Sequence, residues 1–292
     1  MSTDPRRAVL ESFLESVVAR GFTDRAAGAV YQMGHLVEAH AGVSDPKLEY
    51  DLASLTKILC TTYLAAGAVV EQKLDLQETP WPAWPGVTVE HLLAHRSGLP
   101  AWREIHSIAD VLAVEPTEKP GIVTVYSDIG FMALGDLLEQ RLGQKLDHLY
   151  AHEAVHFHGP VPVNDANCRA LGGVAGHAGL FGTLDAVLDE AKHILKCLKN
   201  PESEFEEMIY RFARFPGSRG LGFDKASPEG SGGGVLSEQA VGHLGFTGTS
   251  LWIDPVDGAV YILLLRRLDE GQKKDELLEI RRQFHRCLSS RA

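Results

Sequence analysis

Ser54 and Lys57 stand three residues apart in Asp51-Leu52-Ala53-Ser54-Leu55-Thr56-Lys57, just ahead of the apolar run Ile58–Val70. On a helix, positions i and i+3 are neighbours on one face, so the Lys57 ammonium can reach the Ser54 hydroxyl. A serine is a weak nucleophile until a neighbouring base takes its proton. The positive end of the helix dipole and the unpaired first-turn N–H groups favour negative charge developing on that oxygen. This spacing suits nucleophilic acyl transfer. It also suits a plain helix cap, Ser54 or Asp51, beside a solvated lysine, so the choice rests on what accompanies it.

Other residues with chemical capacity are Tyr126-Ser127-Asp128 and His243-Leu244-Gly245. His152-Glu153-Ala154-Val155-His156, with His148 and His158 nearby, matches the helix signature of zinc peptidases. No third ligand stands in a recognisable context and Gly159-Pro160 ends the segment at once, so no metal is expected. His177 sits in a glycine-rich stretch, Gly172–Thr183, where substrate contact and a structural bond to the loop are both open. Trp81, Trp84 and Trp102 suit either an aromatic wall for a sugar or ordinary packing. His95 and Arg96 precede Ser97-Gly98 and suit holding a turn.

These residues need elements to place them. Val9, Leu10, Phe13, Leu14, Val17 and Val18 recur at helical spacing, predicting a helix over 4–20. Short strands over Ala27–Met33 and Leu36–Val43 make a hairpin about Gly34-His35. A buried helix runs from Ser54 to about Gln72, and others are expected over Thr88–His95, Asp110–Glu115, Phe131–Leu142 and Leu184–Leu198. Gly230–Gly234 reads as a hinge or disordered connection. Val241–Ile253 and Ala259–Leu265 read as strands and Leu277–Leu288 as a closing helix. Strands at both chain ends with helices between predict an α+β fold. Its sheet-bearing lobe would take 1–50 and 205–292 and its helical lobe 51–204, as one catalytic unit.

The chain has 292 residues and a net charge of −11, which argues against nucleic acid and anionic membrane as partners. A small-molecule substrate is the partner expected. The first residues show no apolar signal core, and no stretch of about 18 apolar residues occurs. Cys60, Cys168, Cys197 and Cys287 lack C-x-x-C spacing and read as reduced thiols. Together these predict a cytoplasmic protein.

With Ser54-Leu55-Thr56-Lys57, Tyr126-Ser127-Asp128 and His243-Leu244-Gly245 in view, the chain resembles the serine β-lactamase and penicillin-binding-protein superfamily. The resemblance spans nearly the whole chain and includes His91–Pro100, the Gly172–Thr183 loop and Gly242–Pro255. It points to the branch nearer class C β-lactamases, D-aminopeptidases and related esterases. Within that branch Leu221–Asp224 and Pro228–Gly230 look closest to muropeptide-recycling N-acetylmuramoyl-L-alanine amidases.

The resemblance implies a β-lactamase/DD-peptidase fold, an antiparallel sheet flanked by helices with a large helical lobe, and no cofactor. It makes Ser54 the nucleophile of an acyl-enzyme and gives general acid–base work to Lys57 and Tyr126, with His243 assisting Tyr126. The oxyanion hole would be the N–H groups of Ser54 and Phe246, and Asp128, Gly245 and His177 would meet substrate. Asp128 departs from the usual asparagine, and His243-Leu244-Gly245 from the usual K-T-G. The expected activity is hydrolysis of an amide or ester, with a peptidoglycan-derived muramoyl-peptide amide as the best substrate. A broad carboxylesterase, a weak β-lactamase or D-peptidase, a zinc peptidase and a non-catalytic binder of cell-wall fragments are the alternatives.

Overall fold

The opening amphipathic helix, Arg6–Ala19, buries Leu10, Leu14 and Val17. A helix of this length with one apolar stripe needs a sheet to lie on. The computed structural model describes residues 4–150, 155–160, 163–268 and 274–291. The chain divides into two units, one made of Met1–Leu52, Gly182–Lys199 and Lys225–Ala292, the other of Ala53–Phe181 and Asn200–Asp224. Relative to the lobes expected at 1–50 with 205–292 and at 51–204, Leu184–Lys199 lies in the sheet-bearing unit and Asn200–Asp224 in the helical one.

In the first unit the antiparallel sheet runs in the order His35–Gly42, Thr23–Gln32, Ala259–Arg267, Ser250–Asp254, Val241–Leu244. The first hairpin turns at Met33 and Gly34, both with positive φ (49° and 89°), which suits the right-handed twist of the strands it joins. Register sets Ala26 opposite Leu265, Gly28 opposite Leu263 and Val30 opposite Tyr261. These side chains share one face and pack with Leu10, Leu14, Ile280 and Phe284. Each buried Leu, Ile, Val or Phe side chain among them contributes about 1.5–3 kcal/mol. A Cβ on Gly28 would stand 2.9 Å from Leu10 Cδ1, so the bare backbone there lets the first helix close on the sheet.

Two expectations in this unit are corrected. Val241–Ile253 is not one strand: it breaks at Gly245–Thr249, where Gly245 N–H donates to Thr249 O (2.8 Å). Arg281 from the last helix braces that turn by donating to Gly245 O (2.6 Å) and Thr249 O (2.7 Å). Gly230–Gly234 is not a disordered connection either. Ser231 Oγ accepts the Trp252 indole N–H (3.0 Å) and Gly230 O accepts Arg282 Nε (3.2 Å).

The second unit is helical. The helix expected from Ser54 to Gln72 is split into a π-helical turn, Lys57–Thr61, and an α-helix, Thr62–Val70. The Thr62 N–H reaches back to Lys57 O, and the Thr61 hydroxyl donates to Gly176 O (2.6 Å). Widened turns of this kind often occur at functional sites. Asp128–Leu142 is capped by Ser127 and stopped by Gly143 at φ 74°, starting one turn earlier than expected. Glu204–Ala213, capped by Ser203, packs on Thr62–Val70, with Tyr63 and Phe205 edge to face at 5.4 Å. Among the described residues no helix is long and apolar enough to cross a membrane.

Candidate active site

Ser54 lies in the tight turn that enters the π-helical segment, partly exposed, directly after Ala53 at φ 47°. A non-glycine residue at positive φ is held there only by its surroundings. Thr56 supplies the hold: its hydroxyl donates to Ala53 O (2.7 Å) and accepts the Leu180 N–H (3.2 Å).

Lys57 is fully buried, and its ammonium is surrounded by oxygen atoms. Nζ donates to Ser54 Oγ (3.0 Å) and His177 O (3.0 Å) and pairs with Asp128 Oδ1 at 2.7 Å. A buried ammonium requires oxygen partners of this kind. Burial works to lower its pKa, but the charge of Asp128, then that of Tyr126, outweighs it and the result is upward. Asp128 opens its helix, where the dipole favours a carboxylate, and its N–H donates to Ala101 O (3.0 Å).

Tyr126 faces the same ammonium, which lies 5.0 Å from its ring centre, and its phenol is within hydrogen-bonding reach of Ser54. Burial pushes the phenol up to about 12; Lys57 pulls down and Asp128 pushes up further. His95 fixes the ring from below the chain: buried, at φ 54°, it stacks on Tyr126 (4.6 Å) and Phe131 (4.9 Å). Its Nδ1 accepts the Ser127 N–H (3.0 Å), so the turn-holding histidine read in the sequence also positions Tyr126. Sequence reasoning missed Arg219, whose guanidinium lies 5.2 Å from the Tyr126 ring centre and pairs with Asp224.

The second unit therefore brings together Ser54, Lys57, Tyr126, Asp128 and His177. His177 is 1% exposed and its ring bonds Asp165, so it meets the site through its carbonyl and not as an open substrate contact. His243, Gly245 and Phe246 belong to the first unit. His243 is buried on Val241–Leu244, with Nδ1 2.9 Å from Leu244 O, so Nδ1 donates to that carbonyl. Phe246 is 47% exposed in the turn that follows.

His156 lies on a strand, Val155–Phe157, and not on a helix; His152 and Glu153 lie outside the described residues. Trp81 and Trp84 are buried against each other, whereas Trp102 is 52% exposed.

A family model described as Beta-lactamase matches residues 11–285. A curated relative from Escherichia coli (strain K12), "Putative D-alanyl-D-alanine carboxypeptidase", is 24% identical, covering 79% of this chain and 72% of its own. Among solved structures, a β-lactamase from Mycobacterium bovis superposes with a TM-score of 0.70 at 24% identity, covering 94% of this chain and 97% of the other. EstCE1, described as a hydrolase with promiscuous acyltransferase activity, superposes with a TM-score of 0.74 at 17% identity and the same coverages.

Proposed function

The chain belongs to the β-lactamase family and is a serine hydrolase of that fold, and we propose that it cleaves a peptidoglycan-derived muramoyl-peptide amide through an acyl-enzyme on Ser54. The observation that carries the reading is the Lys57 ammonium, buried and shared among Ser54, Asp128 and the His177 carbonyl. With the Lys57 pKa raised and Tyr126 at about 12, both groups hold their protons at rest near neutral pH. Turnover starts when the pair gives up one proton. It then takes the Ser54 proton as the oxygen attacks the carbonyl and returns it to the leaving amine. Water attacks the acyl-enzyme in the second half, assisted from the Tyr126 side. The resemblance adds His243 and the Phe246 N–H to this machinery.

Trp102 supports a glycan-bearing substrate. It is exposed and adjoins Ala101, whose carbonyl takes the Asp128 N–H. An exposed indole is a good platform for the apolar face of a sugar ring. A second reading, removal of a terminal D-alanine, is favoured by the description of the relative from Escherichia coli.

The test is mass analysis of products from a muramoyl peptide, beside a p-nitrophenyl ester. Release of the whole peptide supports the amidase, and release of D-alanine alone supports the second reading. Turnover of the ester with no muropeptide cleaved overturns both. Trp102→Ala should raise KM for the muropeptide and leave the ester unchanged.

A further inference from the structure

His177 joins two functions in one residue. Its carbonyl accepts Lys57 Nζ at 3.0 Å, and its ring Nε2 lies 2.9 Å from Asp165 Oδ1. The ring is 1% exposed, and among the described residues Nδ1 has no hydrogen-bond partner. The Asp165 carboxylate can only accept, so Nε2 carries a proton and donates it to Asp165. Asp165 also accepts the Cys168 N–H (2.7 Å) and so caps Ala166–Ala170, a fixed point outside the glycine-rich loop.

The loop is stapled to the nucleophile segment on both sides of this residue. Thr61 holds Gly176 O, and Thr56 holds the Leu180 N–H. Side chains at Gly176 are excluded because a Cβ would strike Phe131 O and approach Gly135 Cα to 2.9 Å. The direction of the 177 carbonyl, which the Lys57 ammonium depends on, is thus held by these two staples together with the ring's anchor on Asp165. From these contacts we infer that Asp165 and His177 are a positioning pair that holds Lys57 in line with Ser54; the inference rests on the Ser54–Lys57 reading above.

The charge of Asp165 is part of the device. Burial alone would raise its pKa, but the bond and charge of His177, the Cys168 N–H and Lys57 hold it at about 2. It is therefore ionised across the working range. The titratable groups facing Lys57 are Asp128 and Tyr126, with Arg219 and His95 against the Tyr126 ring and Asp165 behind the loop.

The experiment measures the rate at which a fluorophosphonate phosphonylates Ser54 with loss of fluoride, read as intact mass across pH, in the full chain. Labelling of the wild type and none of Ser54→Ala establishes the underlying reading separately; an unlabelled wild type sinks that reading. His177→Leu keeps the bulk and loses the anchor, and should be slowed by roughly tenfold or more, the effect of one lost hydrogen bond to a charged group. His177→Gln, whose amide reaches the same carboxylate, should recover most of the rate. Asp165→Asn keeps an acceptor but removes a negative charge, so the acid limb of the rate should move to lower pH. A cooperatively melting His177→Leu with the wild-type rate overturns the inference. If His177→Leu fails to fold, an Asp165→Asn profile that coincides with the wild type overturns it.

Discussion

Asp128 Oδ1 lies 2.7 Å from Lys57 Nζ, a carboxylate paired with the ammonium that also touches the nucleophile. An asparagine at this position would leave the ammonium uncompensated. The carboxylate raises the pKa of Lys57 against burial and adds to the rise of Tyr126. Both shifts disfavour the deprotonated base, so activity should climb with pH into the alkaline range. Asp128→Asn removes one cause of each shift. The acid limb of kcat/KM should move to lower pH, with neutral activity gaining on alkaline activity. An unmoved limb would show that neither group is the base that titrates.

Ser54→Ala removes the oxygen that Lys57 and Tyr126 surround. Loss of roughly 10³-fold or more in kcat is expected, the remainder reflecting binding and the oxyanion hole. The thermal midpoint should hardly change, because Ser54 is partly exposed and contributes little packing. Near-normal turnover in this variant would remove Ser54 from the mechanism.

Gly176 faces Gly135 across the join between the loop and Asp128–Leu142. Gly176→Ala has no room, since Phe131 O and the Gly135 backbone occupy the space. It should cost about 1–3 kcal/mol, as overpacking does, and lower acylation by moving the carbonyl that Thr61 holds. Thermal denaturation with single-turnover labelling checks both effects. A variant as stable as the wild type would mean the loop can move aside.

The sheet was legible because its strands are apolar and sit at both chain ends, and the helices because their caps and stops are local. Asp128–Leu142 carries its own cap at Ser127 and stop at Gly143. The π-turn was not, because its geometry comes from Thr61 reaching Gly176, 115 positions away. Asp165 drew no notice for the same reason: its partner exists only once the loop closes. The break at Gly245–Thr249 had a readable signal in Gly245 and Gly248, hidden by the apolar residues on either side. Glu204–Ala213 also carried one, Ser203 as cap with Glu206 three residues on.

His285, in the helix Lys274–Leu288, is fully buried between Tyr261 (5.2 Å) and Phe284 (5.3 Å). Neither ring nitrogen has a hydrogen-bond partner among the described residues. Burial first, then the charge of Arg281, pushes its pKa down to about 3. The unfolded chain titrates near 6.5, so between these values it binds a proton that the folded chain does not. Stability therefore rises with pH and is lost as pH falls below about 6.5. From about pH 7 to 5 the loss from this residue is about 2 kcal/mol. Urea denaturation of the wild type and His285→Leu at both pH values isolates it. Equal losses in the two proteins would show that the ring finds a partner when charged.

The last prediction is that this member of the β-lactamase family is a poor β-lactamase. The resemblance implies that antibiotic recognition relies on a cationic K-T-G strand and an amide in the Tyr126 motif. Here Leu244 replaces the hydroxyl, His243 replaces the permanent charge, and Asp128 replaces the amide. The Asp128 carboxylate can only accept hydrogen bonds, and one of its oxygens is already committed to Lys57. A missing charge-assisted hydrogen bond costs about 1.5–3 kcal/mol, and a carboxylate standing where the resemblance implies an amide donor adds repulsion. Two such losses lower kcat/KM by roughly 10² to 10⁴. Nitrocefin and penicillin turnover, measured beside a muramoyl peptide and a p-nitrophenyl ester, checks this. Asp128→Asn should bring part of the β-lactam activity back. A wild-type penicillin kcat/KM of roughly 10⁶ M⁻¹s⁻¹ or more, far above that of the best alternative substrate, would show that these substitutions do not govern recognition.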